Sequence, residues 1–136
     1  MTDKEAVVRE FLKGWGDGDA QKLADFHSED AVVWNDARTT VRGRDAIHEH
    51  YKMHLSVITD CNIAITALVV AGNTVFTERI DRMKAAGADL ELPVAGVFEV
   101  DDAGKITAWR DYFDLSTVME QLKAAGIEVD PEALGS

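Results

Sequence analysis

Residues 74–85 of the chain read TVFTERIDRMKA and alternate in the way that a half-buried β-strand does. Successive side chains of a strand point to opposite faces, so Arg79 and Asp81 share a face with the apolar residues Val75 and Met83. A sheet that buries this face takes both charges inside. Because buried charges are costly unless they bind one another, the segment predicts an internal ion pair.

Residues 109–114, WRDYFD, carry a third charge toward the same interior. Asp111 alternates in step with Trp109 and Phe113, and a carboxylate between two large aromatic side chains is expected to be buried. One cation held between two carboxylates can keep one of them ionised while the other retains a proton. Two carboxyl groups in opposite protonation states indicate an acid/base enzyme.

The sequence around these segments continues as strands. Four strand candidates follow one another with turn-forming residues between them, at 62–71, 74–85, 89–100 and 105–113. Consecutive strands are therefore expected to pair as an antiparallel meander. The third candidate is apolar at Leu92 and Val94 and is predicted to line the floor of a hydrophobic cavity, in which Gly96 leaves space for a ligand or a bend.

Helical spacing dominates the rest of the chain. We predict a first helix over residues 3–14, a short second helix capped by Asp19, a strand at 31–34, a polar loop at 35–42, a third helix after Gly43 and a last helix from Leu115. Helices that precede a run of hairpins predict an α+β domain, in which the sheet packs one face against the helices. The pocket is expected between these two layers.

Size and charge narrow the possible partners. The 136 residues suit a single domain, expected over residues 1–126, with a C-terminal tail at 127–136. With 25 acidic and 14 basic residues, the formal charge is -11. Such a field repels nucleic-acid phosphates and anionic membrane surfaces, so we expect neither nucleic acid nor membrane as a partner. A neutral small molecule suits the charge better.

Cysteine content and the N-terminus indicate the compartment. Cys61 is the single cysteine, so no internal disulfide can form. The first residues lead directly into an amphipathic helix without an apolar signal segment, and no stretch has the length needed to span a membrane. We therefore expect a cytoplasmic protein.

Several motifs of the chain closely resemble the limonene-1,2-epoxide hydrolase family. They are TERID at 77–81, LPVAGVFEV at 92–100 and GKITAWRDYFD at 104–114, with the GRDAI helix start at 43–47 farther upstream. The fold that this resemblance implies is a cone-shaped α+β domain whose curved sheet surrounds a deep apolar pocket. That fold is shared with nuclear transport factor, ketosteroid isomerase and SnoaL-type cyclases. The resemblance also implies a homodimer that acts on a small apolar epoxide.

By this resemblance the buried charges receive catalytic roles. Asp111 would be the general base that activates water, Asn35 would help to hold that water, Asp81 would protonate the epoxide oxygen, and Arg79 would lie between the two carboxylates. Trp109, Leu92, Val94, Gly96, Phe113 and Val33 would surround the substrate. Ring opening of a strained ether needs one acid and one base, so neither a cofactor nor a metal is expected.

One residue departs from the family pattern. The family's water is also held by a tyrosine two residues before the asparagine, and this chain has Val33 there. Val33 offers no hydroxyl, and losing one such hydrogen bond typically costs about 1–3 kcal/mol. Hydrolysis would then be weakened, shifted to other substrates or lost. An isomerase or cyclase on the same fold, and a non-catalytic protein that binds a hydrophobic ligand, are the alternatives.

Three histidines lie close together in the third helix, at His48, His50 and His54. Their spacing is not His-Glu-x-x-His, and no third ligand is evident, so the sequence does not favour a metal site. His54 falls near the apolar stripe of its helix. It is expected either at the pocket mouth or against a core partner.

Overall fold

A computed structural model describes residues 2–36 and 39–128, and the side chains of Asn35 and Asp36 lie outside that description. Four α-helices are described: α1 (Lys4–Gly14), α2 (Ala20–Ala24), α3 (Arg44–Val57) and α4 (Leu115–Ala124). A short 3-10 helix, Trp15–Asp17, follows α1. The six strands are β1 (His27–Asp36), β2 (Thr39–Arg42), β3 (Ile58–Ala71), β4 (Thr74–Ala85), β5 (Ala88–Val100) and β6 (Ile106–Tyr112).

All six strands form one curved sheet in the order β2-β1-β6-β5-β4-β3. The predicted meander is confirmed, since β3 to β6 pair antiparallel in sequence order. Strand β1 joins β6 in parallel, which makes the sheet mixed. The predicted loop at 35–42 was wrong for residues 35–36, which end β1, and for residues 39–42, which form β2 and pair antiparallel with β1. A four-residue edge strand of polar composition gives little periodic signal.

Helix starts follow from local sequence. Asp3, Asp19 and Asp114 each precede a helix, and their side chains accept hydrogen bonds from backbone N–H groups of the first turn. Such caps satisfy donors that have no partner inside the helix. The predicted α+β architecture is confirmed, with helices covering the concave face of the sheet.

The main core lies between α1, α3 and this face of the sheet. Phe11 of α1 is fully buried at its centre and contacts the rings of Trp15, Phe98 and Trp109 at centroid distances of 5.0–6.3 Å. Rings at these distances pack favourably edge to face. This aromatic cluster fixes α1 over the strands that carry the charged residues.

A second, smaller apolar cluster lies beneath α4. It consists of Ala88, Leu90 and Leu122, and half-buried residues including Val118 and Ile127 pack against it. Ile127 thus contacts the domain, although the sequence reading assigned it to the tail. Residues 129–136 of that tail lie outside the described part of the chain. No helix within residues 2–36 and 39–128 is long and apolar enough to cross a membrane.

Candidate active site

Strand register brings the two charged segments together. Thr77 of β4 and Asp111 of β6 both pair with Gly96 of β5, which lies between them, and Arg79 pairs with Val94 on β5. Arg79 and Asp111 therefore lie on the same buried face with a single strand separating them. This is the face that alternation predicted for both residues.

Arg79 binds both carboxylates at once. Its Nε and Nη2 donate to the two Asp81 oxygens at 3.0 and 2.8 Å, and its Nη1 and Nη2 donate to the two Asp111 oxygens at 2.9 Å each. The Nε1–H of Trp109 donates to Asp111 Oδ1 at 2.8 Å. Two bidentate pairs on one guanidinium hold both carboxylates in fixed orientations. We call Arg79, Asp81 and Asp111 the charged triad.

Gly96 provides the space for this arrangement. A Cβ at position 96 would lie 2.4 Å from Arg79 Nη1, 2.7 Å from Asp111 Oδ1 and 3.0 Å from Thr77 Oγ1. Any larger residue would displace the guanidinium or the carboxylate. The space expected at Gly96 is thus filled by the charged triad.

Burial sets the electrostatics of the triad. Arg79 is 1% exposed, and Asp81 and Asp111 are each 7% exposed. Burial raises the pKa of Asp111, and this outweighs the opposing effect of the Arg79 charge and its hydrogen bonds. Burial alone would lower the pKa of Arg79, but the charge of Asp111 and the hydrogen bonds to both carboxylates raise it instead. Arg79 is therefore a permanent cation.

The triad borders a cavity of about 140 Å³. Four of the predicted pocket residues line it: Leu92, Val94, Trp109 and Phe113. The other two lie elsewhere among the described residues. Val33 is fully buried in the main core, and Gly96 lies behind the triad. The side chain of Asn35 lies outside the described residues, and its backbone belongs to β1 beside β6.

The cavity has further walls, and of their residues the sequence placed only His54 at the pocket mouth, as one of two alternatives. Trp15, His54, Ile58, Cys61, Ile63 and Met83 line it. Trp15 Nε1 is buried without a hydrogen-bond partner among the described residues. Burial raises the pKa of Cys61 and lowers that of His54, so neither carries charge at neutral pH. Among the other wall residues Met83 carried a usable sequence signal, because it continues the buried face of β4.

A second buried polar group lies nearby in the core, formed by His27 and Tyr51. His27 Nδ1 lies 3.0 Å from the carbonyl oxygen of Leu23, which can only accept, so Nδ1 carries the proton. The Tyr51 hydroxyl then donates to His27 Nε2 at 2.9 Å. Burial lowers the pKa of His27 to about 4 and raises that of Tyr51 well above its usual value. Both side chains are neutral and fully buried.

The fold is shared by other solved structures. A protein of ketosteroid isomerase-like fold from Catenulispora acidiphila superposes with a TM-score of 0.79 at 23% identity, over 90% of this chain and 93% of its own. An epoxide hydrolase of the limonene-epoxide-hydrolase-like type from Mycobacterium tuberculosis superposes with a TM-score of 0.76 at 28% identity. That match covers 89% of this chain and 92% of the neighbour. These neighbours define a cone-shaped α+β fold.

Among the proteins that share this fold, sequence comparison identifies one family to which the chain belongs. The model of the limonene-1,2-epoxide hydrolase catalytic domain matches residues 2–124, so the chain belongs to that family. The epoxide hydrolase EphG of Mycobacterium tuberculosis is 47% identical over 51 residues, which are 38% of this chain. The match spans 34% of that relative's length.

Proposed function

We propose that the protein is an epoxide hydrolase that adds water to an apolar epoxide without a cofactor and releases a vicinal diol. The observation that carries this proposal is the charged triad at the wall of a cavity whose other walls are mostly apolar. One cation between two carboxylates leaves the buried group one negative charge in excess. A single proton shared by the two carboxyls makes the group neutral overall, which a low-dielectric site favours.

In the proposed reaction the two carboxyls act on opposite sides of the ring. Ionised Asp111 accepts a proton from a water molecule, and at the same time the oxygen of that water forms a bond to one epoxide carbon. The bond between that carbon and the ring oxygen breaks, and Asp81 gives its proton to that oxygen. The pair resets when one proton passes from Asp111 back to Asp81. The net reaction consumes one water and no electrons.

Burial raises the pKa of Asp111, so its carboxylate, once ionised, is a stronger base toward water, whereas the assignment of the shared proton to Asp81 follows the family pattern. Trp109 and Arg79 hold the carboxylate in place by donating to its oxygens. We assign Asn35 to the attacking water on the basis of the family pattern. Val33 cannot supply the second contact, so turnover should be slower by about one to two orders of magnitude than with a hydroxyl there.

Diol formation from limonene oxide, cyclohexene oxide and a longer lipid epoxide tests the proposal. The wild type should convert at least one of them, and Asp111→Asn should lower kcat by about a hundred- to ten-thousand-fold because the base is lost. Activity should fall on the acid side, as Asp111 takes up a proton, at a pH above the usual range of aspartate. The proposal fails if wild type and Asp111→Asn form diol equally slowly on all three.

Two other outcomes would identify the alternatives. Deuterium exchange into a ketone substrate, abolished in Asp111→Asn, would indicate an isomerase or cyclase in which one carboxylate moves a proton on carbon. A ligand that copurifies unchanged, with no turnover and no effect of Asp81→Asn on its binding, would indicate a non-catalytic pocket protein.

We further propose that the protein is a homodimer that buries the outer face of its sheet. Val69, Phe76 and Tyr112 on that face are 62%, 48% and 49% exposed. Val69 pairs with Phe76, and Phe76 with Val97, so apolar side chains form a row across three strands. Exposed apolar patches of this kind mark interaction surfaces. Sedimentation of wild type and Phe76→Glu tests this, and a monomeric wild type would contradict it.

A further inference from the structure

His54 is an ionisable side chain at the cavity wall that the proposed reaction does not use. It lines the cavity at the charged triad and also a cavity of about 610 Å³ between α4, the end of α3 and the sheet. Of the described residues that line this larger cavity, only His54 and Ser56 carry a side-chain nitrogen or oxygen. The Ser56 hydroxyl donates its proton to the carbonyl oxygen of Met53 within α3. His54 is therefore the stronger candidate for a polar contact with a ligand.

Helix α3 fixes which ring nitrogen of His54 carries a proton. The ring is neutral, because burial lowers the pKa of His54 more than the hydrogen-bonded backbone carbonyl of His50 raises it. Nδ1 is fully enclosed by the described residues, whereas Nε2 is not. Since a carbonyl oxygen can only accept, the enclosed Nδ1 carries the proton toward His50, one turn earlier. His27 makes the same contact from its Nδ1 to the carbonyl oxygen of Leu23.

This tautomer makes His54 Nε2 a hydrogen-bond acceptor. Within the described part of the chain, no group donates to Nε2. The His50 ring packs edge to face against the His54 ring, with centroids 4.4 Å apart, and this contact restricts how the His54 ring can turn. Nε2 is thus an acceptor, held by α3, that a ligand in the adjoining cavities can reach.

The surroundings of His54 decide which donor suits this acceptor. Apart from His54 and Ser56, the described walls of the larger cavity are apolar, so an ionised ligand group would lose its hydration there without a counter-charge. A carboxylate also has no proton to give. A neutral hydroxyl group supplies the proton that Nε2 can accept, at a much smaller cost of desolvation than an ion.

We propose that Nε2 of His54 accepts a hydrogen bond from a hydroxyl group of the substrate, so that the preferred substrate is an otherwise apolar epoxide with a hydroxyl group away from its oxirane ring. This inference rests on the proposed hydrolase function and narrows its substrate class. The triad acts on the reacting ring, and His54 recognises the hydroxyl group. Without this acceptor the buried hydroxyl has no partner, which is costly.

Three compounds measure this preference: cyclohexene oxide, its derivative with a hydroxyl group on a ring carbon farthest from the oxirane, and the methyl ether of that alcohol. The ether keeps the oxygen and loses the proton, so it cannot donate to Nε2. In wild type, kcat/KM for the alcohol should exceed that for the ether. A wild type that converts the ether at least as well as the alcohol would overturn the inference.

His54→Leu removes the acceptor and keeps a side chain of similar size. The ratio of kcat/KM for the alcohol to that for cyclohexene oxide should fall by about five- to a hundredfold in this variant. The corresponding ratio for the ether should not change. His54→Gln should restore part of the preference for the alcohol, because its amide oxygen can accept. His54→Met replaces His54→Leu if the latter does not fold.

Met83→Leu is the matched control. Met83 also lines both cavities, and the substitution changes the shape of the wall without changing any nitrogen or oxygen. It should keep the wild-type ratio of alcohol to cyclohexene oxide. Equal ratios in wild type and His54→Leu would overturn the inference. An equal loss in His54→Leu and Met83→Leu would overturn it as well, because shape alone would then explain the preference.

Binding to Asp111→Asn separates this inference from the hydrolase proposal. The three compounds should displace an apolar fluorescent dye from this variant, and adding His54→Leu should weaken displacement by the alcohol alone. If it does so while wild type hydrolyses none of the compounds, the hydroxyl contact stands and the hydrolase proposal fails. If wild type hydrolyses cyclohexene oxide and His54→Leu changes neither binding nor turnover of the alcohol, the hydrolase proposal stands and the hydroxyl contact fails.

Discussion

The charged triad and the pair formed by His27 and Tyr51 are both buried polar groups, yet they differ in charge and in surroundings. The triad keeps three ionisable groups together and borders a cavity. The His27 and Tyr51 pair is neutral, and its hydrogen bonds end at a backbone carbonyl within the core. Neither of its residues lines the cavity at the triad.

From this difference we infer that the triad serves the proposed chemistry and that the pair of His27 and Tyr51 is a structural contact. A neutral hydrogen-bonded pair lowers the free energy of the fold and has no proton that a ligand can reach. A buried ion-pair group contributes little net stability, because desolvation offsets much of the attraction. A group of that kind beside an open cavity is better explained by a function than by stability.

The largest expected effect comes from substituting one residue of the charged triad and, separately, one residue of the pair formed by His27 and Tyr51. Asp81→Asn should reduce epoxide hydrolysis by about a hundred- to ten-thousand-fold, since the acid is lost, while the protein stays folded. Tyr51→Phe should lower the free energy of unfolding by about 1–3 kcal/mol, because His27 Nε2 loses its donor, with kcat changed only a few-fold. Turnover and chemical denaturation of both variants measure this. A large loss of kcat in folded Tyr51→Phe would contradict the assignment of the His27 and Tyr51 pair to structure alone.

Gly96→Ala probes the space behind the triad. The added methyl group would lie 2.4 Å from Arg79 Nη1 and 2.7 Å from Asp111 Oδ1, so the ion pair must shift. Overpacking of this kind costs about 1–3 kcal/mol and should also reduce kcat by displacing Asp111. Gly72→Ala controls for destabilisation alone, because its backbone φ of +61° strains an alanine while nothing lies within 4 Å of the added methyl group. Equal activity of Gly96→Ala and wild type would contradict the placement of Asp111 as the base.

The smallest effect is a pH dependence that belongs to the structural pair. His27 has its pKa lowered from 6.5 to about 4 in the folded protein, so the folded state binds fewer protons than the unfolded chain. The contribution of neutral His27 to the free energy of unfolding is complete above pH 6.5. It is lost as the pH falls from 6.5 toward 4. At pH 5 the loss amounts to about 2 kcal/mol.

His27→Gln removes this titration while an amide can still replace both hydrogen bonds. The decrease in unfolding free energy between pH 7 and pH 5 should therefore be about 2 kcal/mol smaller in the variant than in wild type. Denaturant titrations at the two pH values measure it. Identical decreases would show that His27 is not the group responsible.

Much of the fold and part of the site follow from local sequence. Alternation along 74–85 predicted the buried face of β4 correctly, and the cap at Asp19 predicted where α2 begins. Strand β2 was missed, because its four residues are held by pairing with β1 and carry no periodic signal of their own. The roles of Asp81, Asp111, Asn35 and Arg79 remain predictions.

The sequence by itself determined which residues are charged and which face of each strand they occupy, since side chains alternate along any regular strand. Only the tertiary structure decided that Arg79 reaches Asp111 across Gly96, because this contact depends on the register of three strands. The same holds for Trp15 and His54, which helices from distant parts of the chain bring to the cavity wall. A larger apolar cavity of about 610 Å³, between α4, the end of α3 and the sheet, is likewise a product of packing, because an empty volume belongs to no single segment.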